Sequence, residues 1–329
     1  MIKWFIMPDG ELMEAETVIN EGLLIEQYPT PYLMECASNR EWRGTTSTTQ
    51  LIRGTRLAYL EILVDYAIDP DQQAFRIIGS RGHSKMERQA KLRGDLAETF
   101  FDQGEISGVA DHLEEDPQAP GKFILDDYKV SGSYKVLKGL GLVKRERPMV
   151  DEAGNPVLYK RSGNGFQKGD PRTETYYEMD PGNREVPEWD LQLNHYRIRA
   201  EAELEVDGEP VKISRMRIFV PVRDGGTQAA RSRGVEHNTY SFWIPKMDDE
   251  KVMEYFNKKR DALLSAYEGY RMSVEAGRDY EQAVIENAPP PCTKEEAWDG
   301  RRCERYCGLK DICVKIGNPY LSAGSDGKE

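Results

Sequence analysis

The sequence predicts a mixed α/β fold in which helices pack on a central sheet. Two observations lead there. Helical patterning dominates residues 47–103, two short β-like runs follow at 105–111 and 123–130, and further helices and strands come after them. Runs of both kinds bury their apolar faces by layering helices on a sheet. The 329 residues, 39% hydrophobic and 31% charged, suffice for the core of one large domain or two ordinary ones.

Residues 1–45 read as a loose or strand-containing lead-in, interrupted by YPTPY and NREWRG. Over residues 47–67 apolar side chains recur at helical spacing behind Ser and Thr residues suited to N-capping, which predicts one helix. GSRG then reads as a breaker, and a second helix is expected from His83, or just before it, to about Leu92. GDLAETFFDQ predicts a third. The two β-like runs are separated by the turn-rich EEDPQAPGK. SYKVLKGLG predicts a helix stopped at Gly139 or Gly141. Residues 148–187 are polar and rich in Gly and Pro, the composition of an insertion, with a hairpin expected around DEAGNP. A helix resumes near Trp189, VKISRMRIFVPV and TYSFWIP predict strands, and a long amphipathic helix is expected from Asp249 to about Ala276. The expected organisation is a lead-in over 1–46, a core over 47–285 and a cysteine-bearing segment with its tail over 286–329.

The start of the chain has no apolar run suited to a signal peptide, and no stretch has the length needed to cross a bilayer, so a cytoplasmic protein without a membrane partner is expected. The net charge of −12 argues mildly against nucleic acid. Its distribution is uneven, however. Lys129, Lys135, Lys138, Lys144, Arg145 and Arg147 face one acid, Glu146, in one segment; Lys212, Arg215, Arg217, Arg223, Arg231 and Arg233 face only Asp224 in another. Each segment alone reads as a solvated face. Together in one groove they would suit a polyanion.

The chemistry concentrates in residues 108–130, GVADHLEEDPQAPGKFILDDYKV. Asp111 ends one apolar run, and Asp127 sits two places before Lys129 in the other. Strand alternation puts Asp127 and Lys129 on one face and Tyr128 on the other. If the strands form a hairpin, Asp111 lies beside Asp127. Adjacent carboxylates repel unless a cation sits between them, and magnesium takes such oxygen ligands while keeping several waters. A structural Asp–Lys pair with an unrelated Asp111 explains the segment equally well. Other acid-x-Lys triplets, Asp249-Glu250-Lys251 and Asp326-Gly327-Lys328, lack a strand setting.

With further residues the chain resembles the RecB-like branch of the PD-(D/E)xK nuclease superfamily over residues 47–313. Gly108-Val109-Ala110-Asp111 matches the strand-end G-x-x-D motif, Asp127-Tyr128-Lys129 the D-x-K motif, His83 the upstream histidine, and Gln192 to Tyr196 the downstream Q-x-x-x-Y. A four-residue step places Gln192 and Tyr196 on one helical face. The resemblance implies a restriction-endonuclease-like core. In it His83, Asp111, Asp127 and the Tyr128 carbonyl bind Mg2+ or Mn2+, Lys129 serves the attacking water, and Gln192 and Tyr196 shape the site and contact DNA. The long gap from Lys129 to Gln192 departs from the pattern.

Cys303, Cys307 and Cys313 form Cys-x3-Cys-x5-Cys, with Cys292 shortly upstream and Cys36 far away. Close-set soft thiolates select zinc or an iron–sulfur centre, and the paired Cys-x2-Cys knuckles usual for zinc are lacking. The tail resembles that of iron–sulfur RecB-like nucleases, a group with CRISPR-adaptation nucleases, helicase–nucleases of the AddB type and many phage exonucleases, but has one extra residue in its first gap. That group's fourth ligand lies where this chain has Gly54, leaving Cys292 or Cys36. Cys292 closes the shorter loop. A structural 4Fe-4S cluster is expected, with zinc as the alternative.

The expected function is a metal-dependent DNA nuclease, an exonuclease on single strands or DNA ends, serving recombination, repair or CRISPR adaptation. No Walker-type motif is present, so unwinding would need a helicase partner; a recombinase or CRISPR-adaptation protein fits the same setting. The competing expectations are a catalytically degenerate DNA-binding protein and a zinc-bearing interaction protein.

Overall fold

The computed structural model describes residues 1–39, 42–101 and 105–321. The tail triplet Asp326–Lys328, and the end of the expected helix over GDLAETFFDQ, lie outside them. The chain divides into two compact units, one of residues 1–126, 191–216 and 245–329, the other of residues 127–190 and 217–244. The expected lead-in and cysteine segment both belong to the first unit.

The lead-in is an ordered layer. Strand β1 (Ile2–Ile6) pairs antiparallel with β2 (Leu12–Glu14), and helices α1 (Ala15–Glu21) and α2 (Thr30–Cys36) follow. Phe5, Val18, Leu33 and Cys36 are fully buried or nearly so in a core of their own. Its third strand comes from residues 66–68, a partner with no local signal in the first 45 residues.

The single helix expected over 47–67 is broken. Strand β3 (Thr46–Ser47) leads into α3 (Thr48–Arg53), and the Ser47 side chain and Gln50 form a reciprocal capping box. Gly54, at φ +118°, ends α3, and α4 (Thr55–Leu63) starts again before β4 (Tyr66–Ile68) joins β1 in parallel. Only glycine adopts that φ readily.

Helix α5 (Ala74–Arg93) runs straight through GSRG. The two glycines each cost about 1 kcal/mol relative to alanine, and a long helix absorbs that. GDLAETFF is β5 (Leu96–Phe101), not a helix: Thr99, Phe100 and Phe101 suit a pleated surface, and cross-strand pairing overrides local helical preference. It pairs antiparallel with β6 (Ile106–Glu115), which pairs antiparallel with β7 (Phe123–Tyr128) and parallel with β3. The sheet is therefore mixed. Asp111 stands inside β6 rather than at its end, because the strand continues through His112 and Leu113.

In the second unit, α6 (Ser133–Leu140) stops at Gly141 in the left-handed region, as expected. Strands β8 (Leu142–Pro148) and β9 (Thr173–Met179) pair antiparallel along their whole length, and the chain between them turns first at Asp151–Asn155, inside DEAGNP, and again at Gly163–Phe166. Helix α7 (Pro187–Glu203), short strands β10 (Glu205–Val206) and β11 (Glu209–Pro210), and strand β12 (Ile213–Pro221) follow in sequence. Helix α8 (Gln228–Arg231) and strand β13 (Thr239–Ile244) complete the second unit, where Gly139 lets the Phe242 and Trp189 rings lie against α6.

Helix α9 (Asp249–Glu275) returns to the first unit, N-capped by Asp248. It is followed by α10 (Tyr280–Glu286), α11 (Arg301–Arg305) and α12 (Lys310–Ile316). Leu51, Tyr59, Leu60, Ile106, Phe256, Leu263 and Val284 form the core joining these helices to β6. Buried Arg197 of α7 binds Asp249 and Glu201, and Arg199 Nη1 donates to the Ile106 carbonyl at 2.7 Å.

Tyr196 lies so close to β6 that a Cβ at Gly108 would stand 2.8 Å from its Cε1 and 3.0 Å from Thr48 Oγ1. Gly108→Ala is therefore expected to cost about 1–3 kcal/mol, the range for overpacking a filled site; chemical denaturation measures it.

Candidate metal and thiol sites

In the first unit α5 and the β5–β6 pair bring three metal-type side chains together. His83, from the middle of α5, places Nδ1 3.4 Å from Asp111 Oδ2. Glu98 of β5 joins them, with one donor atom from each of the three lying within 4.8 Å of the others. Sequence reading missed Glu98 because it assigned its strand to a helix. In the ladder Ala97 pairs with His112 and Thr99 with Ala110, so the Glu98 step falls against Asp111. Burial, and then the charge of Asp111, push the Glu98 carboxyl above its ordinary value.

Gln192 and Tyr196 are both buried on α7, and Gln192 Nε2 donates to the Tyr196 hydroxyl at 3.0 Å. Of the two, Tyr196 packs on β6 at Gly108. His195, between them, is bonded through Nδ1 to Thr48 Oγ1 at 2.9 Å. Burial, helped by the Arg199 charge, pushes its pKa down to about 3, so it is a neutral core histidine.

In the second unit Asp127 is 1% exposed, and Lys129 Nζ stands 2.8 Å from its Oδ2. The two share a face, as alternation requires. Tyr128 packs edge-on against Phe219, with ring centroids 6.3 Å apart, and the Lys129 amide donates to the Phe219 carbonyl at 2.9 Å.

A second histidine–acid group was not anticipated. His112 and Asp126 are register partners on β6 and β7. His112 Nδ1 is 3.1 Å from Asp126 Oδ2, and its Nε2 is 3.1 Å from Asp95 Oδ2. Glu114 completes a set of metal-type donors with His112 and Asp126. With a carboxylate on each ring nitrogen, this group is a hydrogen-bonded clamp across the strands. Burial opposes a charge on His112, yet the two carboxylates outweigh it and raise its pKa.

Many side chains of the basic segments meet acids. In the β8–β9 hairpin Arg145 pairs with Glu178 at 3.1 Å and Arg147 with Glu174 at 2.7 Å, and Lys138 pairs with Glu185 at 2.8 Å. Arg215 grips Asp116 with both nitrogens, Nη2 at 2.7 Å, and Arg233 lies 3.5 Å from Asp224. These pairs match the solvated-face expectation.

Each of the five cysteines is a free thiol. Cys292, Cys303, Cys307 and Cys313 line one pocket of the first unit, floored by Leu57, Leu60 and Leu309. Cys36 lines the N-terminal core instead. Of the two candidates for the fourth thiol, Cys292 is therefore the one in the pocket. A Cβ on Gly54 would stand 3.1 Å from Cys292 Sγ, so the glycine makes room for that sulfur. Burial pushes the Cys292 thiol up to about 11 and raises Cys307 as well. Asn318 Nδ2 and Arg56 Nη1 approach Cys313 Sγ at 3.4 and 3.8 Å. Arg56 also donates to the carbonyls of Pro289 and Gly317, at 2.7 and 2.9 Å, tying α4 to both sides of the cysteine segment.

No family model and no curated protein matches the chain. A solved structure described as "Crystal structure of SSO0001" aligns with 92% of this chain and 98% of its own at 15% identity and a TM-score of 0.40. A likeness of that extent carries no conclusion about function.

Because His112 holds its proton more tightly folded than unfolded, its contribution to stability is complete below about pH 6.5, the unfolded value, and is lost as pH rises through the folded pKa. His112→Asn is expected to flatten this pH dependence. It should also destabilise the protein at pH 6 by about 3–5 kcal/mol, as for breaking a buried ion pair. Urea denaturation across pH reads both.

Proposed function

We propose that the chain is a divalent-metal-dependent nuclease with a restriction-endonuclease-like core, of the RecB-like kind, and that its thiol pocket holds an iron–sulfur cluster. The observation that carries the reading is the His83–Asp111 approach on β6, directly preceding the His112↔Asp126 register pair. Carried one residue further along both strands, that register is what the reading requires to set Asp111 against Asp127.

The donors suit a hard dication with one imidazole: His83, Asp111, Asp127 and the Tyr128 carbonyl would hold Mg2+ or Mn2+. When bound, the ion polarises a phosphoryl oxygen and lowers the pKa of a coordinated water. The chain's own contribution is positional. Lys129, fixed by Asp127, offers an ammonium group to the attacking water and to charge growing on the phosphate. Gln192 and Tyr196 support the strand that carries Asp111. DNA ends or single strands are the proposed substrate, with a helicase, recombinase or CRISPR-adaptation protein as partner.

The four pocket thiols fit a soft metal centre, and the N–H groups of Arg56 and Asn318 near Cys313 suit an iron–sulfur cluster, whose potential responds to such bonds.

Incubation of end-labelled single- and double-stranded DNA with Mg2+, Mn2+ or EDTA tests the activity. Cleavage is expected with either ion and none with EDTA. Asp127→Ala should abolish it while DNA binding persists, and Lys129→Ala should slow it by about 100-fold or more; unchanged cleavage in Asp127→Ala refutes the site. Purified protein is expected to be brown, and Cys307→Ser colourless and less stable. Colourless wild-type protein containing zinc would replace the iron–sulfur assignment.

A further inference from the structure

We infer that Glu98 is a ligand of the divalent cation, acting with His83 and Asp111 as a three-residue set contained in one structural unit. The inference rests on the proposed reading of Asp111 as a metal ligand and adds a residue that the sequence resemblance does not supply.

Three features carry it. Glu98 and Asp111 fall opposite each other between the pairs Ala97↔His112 and Thr99↔Ala110. Like charges directly opposite on neighbouring strands destabilise a sheet, and a dication between them reverses the sign of that interaction. The second feature is distance. Donors around an ion at about 2.1 Å stand about 3.0 to 4.2 Å apart, and the donor atoms of His83, Glu98 and Asp111 already lie within 4.8 Å of one another. Small side-chain adjustments would close the set. The third is the backbone. Glu98 has φ +50° inside a strand, a left-handed conformation that costs a non-glycine residue about 1–2 kcal/mol. Such residues concentrate at ligand clamps, where the surroundings hold them.

One imidazole and two carboxylates make a donor set suited to Mn2+ as well as Mg2+. Ligand counting gives Glu98 a specific consequence. His83, Asp111, Asp127 and the Tyr128 carbonyl would fill four of six positions, leaving two for water and phosphate. A fifth protein ligand would occupy one of these. Glu98 would thus help hold the ion in the free protein, where no phosphate competes for that position.

Mn2+ binding to the full chain, followed by the loss of the free-ion paramagnetic resonance signal, tests the inference without using activity. Glu98→Gln keeps the side-chain shape, and Glu98→Gly relieves the left-handed backbone while removing the carboxylate. Both are expected to weaken Mn2+ binding at least 10-fold or to remove one equivalent. Asp127→Asn is expected to retain Mn2+ binding through the three-residue set. If both Glu98 variants bind Mn2+ as wild type does while Asp111→Asn loses it, Glu98 is not a ligand and the proposed site stands. If Asp111→Asn also binds unchanged, the metal reading of the site fails, and this inference with it.

Discussion

The antiparallel registration of β5, β6 and β7 governs everything placed at the candidate site. A strand alternates its side chains, so a slip of one residue would exchange the faces of Asp111 and His112. The buried bridge from Asp95 through His112 to Asp126 opposes that slip. It is a costly device, since two carboxylates and an imidazole leave water to make it. In return it fixes which residue of β6 stands beside which residue of β7 and leaves Asp111 to the other face, towards His83. The clamp and the proposed metal set are thus successive steps of one ladder.

The thiol pocket poses a related problem of long-range order. Its walls come from α4 and from the last part of the chain, regions separated by more than two hundred residues. Arg56 bridges them by bonding the Pro289 and Gly317 carbonyls. Gly54 gives Cys292 its space by carrying no side chain. A buried arginine and a missing methyl group bring the thiols together, and a metal centre there would lock the same contacts.

Much of this was legible in the sequence, unevenly so. Strands β6, β7, β12 and β13, and helices α6, α7 and α9, announce themselves by local periodicity or by a glycine stop such as Gly141. The shared face of Asp127 and Lys129 follows from local pattern too. What was illegible depended on distant partners. The first 45 residues look loose because the strand that completes their sheet lies at 66–68. LAETFF has helix-compatible residues and becomes a strand because β6 pairs with it. Misreading that segment hid Glu98, and nothing in its neighbours marks it as a metal-type residue. GSRG misled in the opposite direction: glycines that usually interrupt a helix are tolerated within a twenty-residue one. Asp111 was recognised, but as the end of a strand that in fact continues for four more residues.

The most direct test of the account is anomalous diffraction from crystals grown with Mn2+. A single strong peak, or a close pair, about 2.0–2.3 Å from Asp111 carboxylate oxygen and touching His83 is the predicted result. A peak confined to His112 and Asp126, or no peak near Asp111 at saturating Mn2+, would contradict it.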